Sequence, residues 1–454
     1  WEGGLVEGCW TEGYFSTGQM ACADLFGVSL EVGAESRFFL QALICREQAL
    51  LTASFKVKPV ARLLCLTDRL VRDAVRELAE AGLLVAKKQA DKVGRPGQEY
   101  EASQYLLDLL AQPRGSSLTH RDLVLRLFNE PEIYAEGPRP ETDTGSEKVA
   151  RKQVCKDGRP AAPGACGRLG TATRVLLAAL LTFADQCGVV AGVGEAKLRA
   201  MTGLNPIALK HQVRRLVSLG FIRVHVPGVS NGFFVGAKVP STYYLNLDHT
   251  QMRARRPHCA VLVYAEAKQS RYERLTSGLT QPDVARALLA LGPAALDVLY
   301  HKLAWYTSHL LSLTWGRPGE RYGEIPASLE GMIGRELDQL KVGKPGQDEA
   351  GYYWPGVLDH FFEVAFEWAE HLKQKFNGKA WSGYQPQVIR LIPVPKPEGR
   401  DDALEVVSLI VYPAPENQNC CIVYKDVRGG FLREFDSEAD LDVWNRYEFG
   451  LLTE

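Results

Sequence analysis

Two stretches of this chain repeat one plan, with their matching glycines, Gly82 and Gly220, 138 residues apart, and a plan that occurs twice constrains how either copy can fold. In the first copy, Val57 to Leu66 carries a short helical pattern, and Thr67 is placed to cap a second helix over 68–81 that Gly82 stops. Val71, Ala74, Val75 and Leu78 share one face of that helix, so Arg69, Arg72, Asp73 and Arg76 must share the other. A strand leaves through Leu83–Val85 into a basic stretch ending at Gln98, and a return strand is expected over 99–103. In the second copy the short helix is expected over 195–202 and the turn at Gly203–Leu204, with Asn205 as cap and Pro206 in the first helical position. Leu209, Val213 and Leu216 form its buried stripe, while Lys210, His211 and Arg214 lie on the open face. After Gly220, Phe221–Val226 runs out, 227–232 turns, and the chain returns through Ser241–Leu245.

The net charge of −1 conceals a strong asymmetry along the chain. From Ser54 to Gln98 there are ten Lys/Arg against five Asp/Glu, and from Ala165 to Thr250 nine against three. From Glu320 to Glu454 the balance reverses, to fourteen basic against twenty-four acidic residues. Both repeated segments therefore suit a polyanion, and the last third would repel one.

Helix, turn, helix, glycine stop and two-stranded wing is the layout of winged helix-turn-helix transcriptional regulators, and both segments resemble that family. In the first copy, Leu78–Leu84 and the wing Gly94–Tyr100 are similar to those of MarR-like and related bacterial repressors. The second copy has a longer, glycine-rich wing, with little positive charge beyond Arg223 and Lys238. The resemblance implies that the second helix of each copy enters a B-form major groove, which is about 12 Å wide and admits one helix. Candidate groove contacts are then Arg69, Arg72 and Arg76 in the first copy and Asn205, Lys210, His211 and Arg214 in the second. Lys87, Lys88, Lys92 and Arg95, with Lys238 in the second wing, would meet phosphate. Asp73 is expected to pair with an arginine rather than read a base.

Around the repeat, the fold class expected is multidomain α+β: an N-terminal extension (1–35), a first winged-helix domain (36–134), a flexible basic linker (135–168), a second winged-helix domain (169–250) and an acidic α+β domain (251–454). In the last, helical patterns run over 283–313 and 354–376. Four short runs, 387–393, 404–412, 420–424 and 430–435, read as consecutive antiparallel strands, followed by a final helix over 437–447 capped by Ser437. No run approaches the ~20 apolar residues of a membrane span, and the start carries no basic-then-apolar signal, so a cytoplasmic, nucleoid-associated protein is expected. The ten cysteines include no C-x-x-C pair and read as reduced, mostly buried thiols, with Cys420 and Cys421 pointing to opposite faces of a strand.

Catalytic patterns do not fit their contexts. Gly228–Gly232 matches G-x-S-x-G, but a strand pattern follows it where a nucleophile elbow needs a helix, so it reads as a hairpin tip. Gly343–Lys344 precedes Pro instead of Ser or Thr, and there is no H-E-x-x-H. His360 and Glu363 read as a helix-surface pair, and the aromatics Tyr352, Tyr353, Trp354, Phe361, Phe362, Phe366 and Trp368 as core. Neither enzyme activity, a cofactor nor a metal is expected. The expected function is sequence-specific binding of double-stranded DNA by a transcriptional regulator, as a homo-oligomer whose acidic domain oligomerises or takes an effector or protein partner. A plasmid or phage replication initiator with tandem winged helices, or an interaction scaffold that does not bind DNA, are the alternatives.

Overall fold

The computed structural model describes residues 30–47, 49–88, 98–111, 118–130, 133, 162–165, 167–228, 239–252, 256–267, 271–276, 278, 282–289, 293–315, 327–339, 354–376, 384–393, 404–416, 418–426 and 430–453. They form a mixed α and β structure in two compact units. The first takes the described residues up to 133, those of 162–182, and Leu198–Leu209; the second takes Phe183–Lys197 and everything from Lys210 on. The N-terminal extension up to residue 29 and most of the expected linker lie outside the described residues, as do Lys92, Arg95, Lys238, the hairpin segment 229–238, Gly343–Lys344, Tyr352 and Tyr353.

The first copy of the repeat begins with α1 (Ala34–Arg46) and the single turn α2 (Ala49–Thr52), followed by α3 (Val57–Leu63) and α4 (Asp68–Glu80). The hairpin β1 (Leu84–Lys88) and β2 (Gln98–Ala102) completes it, and α5 (Gln104–Ala111) and α6 (Arg121–Asn129) follow. The second copy begins with α7 (Thr171–Leu181), then β3 (Val189–Val190), α8 (Glu195–Thr202), α9 (Pro206–Ser218), β4 (Ile222–Val226) and β5 (Thr242–Leu245). One short extended element precedes the supporting helix of each copy, between α2 and α3 in the first and between α7 and α8 in the second, where periodicity gives no signal. In the first copy it is a single bridge, with Phe55 and Tyr100 of β2 exchanging backbone hydrogen bonds of 2.8 and 2.9 Å. In the second it is β3, paired with β5 at Tyr244 and Tyr243, so that both sheets place the early strand beside the last one.

The copies share their local chemistry as well as their order. Thr67 Oγ1 accepts from Leu70 N–H, and Asn205 Oδ1 from Ala208 N–H, each satisfying a donor that the first helical turn leaves unpaired. At the other end, Leu83 N–H reaches Leu78 C=O and Phe221 N–H reaches Leu216 C=O, with Gly82 and Gly220 left-handed at φ 72° and 75°. The short helices end alike, at Cys65 (φ 54°) and Gly203 (φ 69°), again 138 residues apart. Cysteine has a Cβ to accommodate in that conformation, which costs about 1 kcal/mol, whereas glycine does not. Gly203 has a second constraint, because a Cβ there would overlap the Val32 carbonyl oxygen and fall 2.9 Å from Gly33 Cα.

In the first unit, α1 and α7 are buried on almost every side, Phe38, Phe39, Leu40 and Leu43 from one and Val175 to Leu181 from the other. The two helices lie against each other and against α6. Arg174 of α7, 1% exposed, donates to the carbonyls of Leu127 (3.2 Å) and Glu130 (2.6 Å) at the end of α6. The end of the expected linker is no solvated tether: Arg168 is also 1% exposed and donates to Cys65 C=O at 2.8 Å.

The second unit is built on β6 (Ala260–Ala267), which pattern reading passed over. The helices α10 (Arg271–Thr276), α11 (Pro282–Leu289), α12 (Pro293–Thr314), α13 (Ala327–Gln339) and α14 (Trp354–Phe376) precede β7 (Val388–Ile392), β8 (Leu404–Tyr412), β9 (Cys421–Lys425) and β10 (Phe431–Phe435). The sheet order is β10-β9-β6-β8-β7, with β6 antiparallel to β8 and parallel to β9, so the expected run of antiparallel strands is corrected to a mixed sheet. The cause is the unbroken apolar run 260–265, which needs burial on both faces and therefore takes the central place. Ala260, Leu262 and Tyr264 face a cluster from α12 and α14 that includes Leu303, Tyr306, Phe361 and Trp368. Cys420 joins that cluster and its neighbour Cys421 is buried outside it, as strand alternation requires.

Three further expectations change. The helix expected over 283–313 is two, because Pro293 begins a new one. The final helix is a 3-10 turn at Glu438–Asp440, held by the Ser437–Asp440 capping box, then a break at Leu441 and α15 (Val443–Glu448) capped by Asp442. Cys45 is disulfide-bonded, so the reduced-thiol expectation fails there, while Cys65, Cys187, Cys259, Cys420 and Cys421 are free.

The two left-handed turns give a paired test by denaturant midpoint. Cys65→Gly is expected to stabilise the fold by up to about 1 kcal/mol, and Gly203→Ala to cost about 2–3 kcal/mol through backbone overlap and strain.

Candidate nucleic-acid interface

The first copy presents α4 as a helix with one buried and one open face. Val71, Ala74, Val75 and Leu78 are all buried, which fixes the helix's rotation about its axis. Arg69, Arg72 and Arg76 consequently stand in solvent. Asp73, between them, pairs with Arg69 at 3.8 Å and Arg76 at 3.5 Å. At exposures of 92% and 69% for the two arginine side chains, these pairs are weak and give way readily to a stronger anion. Arg72 makes no ion pair among the described residues.

Two contacts hold this helix where it is. Glu77, on the flank of α4, accepts from Gly33 N–H at 2.7 Å and from the Ser36 hydroxyl, so a side chain of the second helix caps the start of α1. Arg168 donates to the carbonyl that closes the turn between α3 and α4. A contact of the same kind holds the last turn of α8, where Arg37 Nη2 donates to Ala200 C=O at 2.8 Å, while Arg37 Nε donates to Val32 C=O at 3.1 Å. Burial pulls the Arg37 guanidinium down to about 10, against the opposing pull of Glu77. Each turn is thus tied by an arginine from the entry segment of the other copy. Neither Glu77, Arg37 nor Arg168 carries a local signal, since the partners lie 44, 163 and 103 residues away.

The flank of α4 that bears Glu77 opens onto a cleft of about 420 Å³ lined by Glu35, Asp73, Glu77 and Glu80, together with Arg76. Its carboxylates would repel an anion, whereas Arg69 and Arg72 stand on the helix away from its lining.

In the hairpin, Lys87 is exposed but pairs with Glu101 on the return strand at 2.5 Å, and Lys56 pairs with Glu99 at 3.3 Å. Lys88 lies in β1, paired with Gln98. Charge counting alone credits Lys87 with a free positive charge that Glu101 partly neutralises.

On α9 the expected face is open, with Asn205, Lys210, His211 and Arg214 exposed above buried Leu209, Val213 and Leu216. Asn205 already accepts the Ala208 N–H through Oδ1. The hairpin behind α9 differs from the first. Arg223 of β4 is 2% exposed and ion-paired with Glu438, itself 7% exposed, which Arg446 also approaches at 3.6 Å. Thr453 donates its hydroxyl proton to Arg223 C=O at 2.9 Å. Arg223 is therefore a structural residue that ties β4 to the C-terminal segment, and it is unavailable to a phosphate.

The helix-surface expectation for His360 and Glu363 is corrected: Glu363 is exposed, but His360 is buried with its Nε2 2.8 Å from Leu275 C=O. Among the described residues no group of three or more His, Cys, Asp or Glu could hold a metal ion. Phe361 and Trp368 are core, with Phe362 and Phe366 packed at its margin. No helix of the described residues is long and apolar enough to cross a membrane.

Removing the carboxylate of Glu438 leaves the buried Arg223 guanidinium without its ion-pair partner. Glu438→Ala is expected to lower stability by about 3–5 kcal/mol, read from chemical denaturation, whereas Asp73→Ala on the open face of α4 should change it by less than about 1 kcal/mol.

Compared with models of known protein families and with curated proteins, the chain matches none.

Proposed function

We propose that this chain is a sequence-specific binder of double-stranded DNA, a transcriptional regulator whose two repeated segments are winged-helix domains, with α4 as the principal reading helix. The observation that carries the reading is the open face of α4, where three exposed arginines stand on a helix locked by a buried apolar stripe. A groove-reading helix needs that division, because its polar side chains must reach base edges while the scaffold holds the helix axis still. Arginine suits the task, since one guanidinium can donate to both O6 and N7 of guanine and discriminate by about 1–3 kcal/mol. Support also comes from the repeated order of helix, strand, helix, helix and hairpin, with the early strand beside the last in both copies. Lys87 and the lysines and arginines of the wing add affinity without sequence information. On this reading α9 is a second, weaker contact, because the one basic residue described in its hairpin strands, Arg223, is buried. The second unit serves assembly or an effector rather than DNA, in keeping with its acidic balance.

Binding to a genomic fragment library at two salt concentrations tests the reading. Discrete fragments should be enriched, with affinity falling steeply as salt rises, by about 0.9 log unit per log unit of salt for each phosphate neutralised. Arg72→Ala/Arg76→Ala should abolish the enrichment, and Lys210→Ala/Arg214→Ala should weaken it less. Weak, sequence-blind binding that neither pair alters would overturn the proposal.

A further inference from the structure

Ile207, in the first turn of α9, is 83% exposed, more than any other large apolar residue described; Trp444 follows at 62% and Tyr105 at 59%. It has no packing role to explain it, because Leu204 and Leu209 on either side supply the core contacts of this turn at 8% and 4% exposure. Its counterpart in the first copy, 138 residues earlier, is Arg69, whose side chain is 92% exposed at the same point of α4. The position is therefore an outward-facing one in both helices, charged in one copy and apolar in the other. Further along the open side of α9 stand the exposed cationic or polar side chains Lys210, His211 and Arg214.

We propose that Ile207 reads the 5-methyl group of a thymine in the major groove. The inference rests on the DNA-binding reading above and specifies what the second helix recognises. Residues at the start of a groove-reading helix are those that reach base edges, and the thymine methyl is the apolar feature that the major groove offers. The cationic residues on the same helix select a polyanion over an apolar protein surface, so the occupant of this site is duplex DNA. Arg69 and Ile207 then divide the work: an arginine that favours guanine in one copy, and an isoleucine that favours thymine in the other.

The test begins with duplexes enriched from a random-sequence pool by the full chain. Each thymine of an enriched duplex is then replaced singly by deoxyuridine, which removes only the methyl group. Wild type should lose about fourfold in affinity at one position, the value for one methyl-sized group withdrawn from contact. Ile207→Ala should bind the thymine duplex about fourfold more weakly, bind the deoxyuridine duplex as wild type does, and keep its thermal midpoint, since the residue is exposed. Enrichment without any deoxyuridine-sensitive position, or the same sensitivity in Ile207→Ala, overturns the methyl contact and leaves the DNA-binding reading standing. Failure to enrich any duplex removes both, and the two failures are thereby distinguished.

Discussion

Two carbonyl groups, those of Cys65 and Ala200, govern how the helices of the repeat are presented. The first lies just past the end of α3 and the second in the last turn of α8, and each accepts from a buried guanidinium of a segment far away in the chain, Arg168 for the first and Arg37 for the second. A charge-assisted hydrogen bond of this kind contributes about 1.5–3 kcal/mol, and a buried arginine without it would be strongly unfavourable. The supporting helix and turn set the direction of the helix that follows. Because each brace comes from the entry to the other copy, neither turn is complete within its own repeat. Glu77 closes the arrangement from the opposite side, since α4 itself caps the start of α1.

Much of this fold was legible before any coordinates, for a definite physical reason. Helix periodicity, Thr67 and Asn205 as caps, and Gly82 and Gly220 as stops depend on contacts within a few residues, so the sequence window that encodes them is short. The exposed faces of α4 and α9 followed directly from their buried stripes. What escaped was of three kinds. Strands as short as β3 or the Phe55 bridge are too brief to show alternation. A strand buried on both faces, as β6 is, shows no alternation at all, although its run of six apolar residues was visible and could have been placed at the centre of a sheet. Polar groups that act at long range, such as Arg168, Arg223 and Glu77, look like ordinary surface charge until their partners are known. Arg223 illustrates the cost, because counting it as wing charge assigned to solvent a residue that Glu438 holds in the interior.

The two copies diverge in what surrounds their second helices. The first keeps three exposed arginines and a hairpin in which Lys87 is matched by Glu101. The second has lost its strand arginine to the C-terminal segment and carries an isoleucine where the first has Arg69. The one plan thus carries an arginine-bearing face in the first copy and one of mixed character in the second, while the caps, turns and stops are alike.

The first unit also imposes an order on its own synthesis. Its compact core draws on residues before 133, on 162–182 and on Leu198–Leu209, and the Arg37–Ala200 contact spans 163 residues. A ribosome must therefore deliver the chain through Leu209 before that unit can close, and until then α1 and α7 expose side chains that the folded unit buries on nearly all sides. The nascent chain is accordingly at its most vulnerable to aggregation before that closure, and high contact separation makes the closure a slow step.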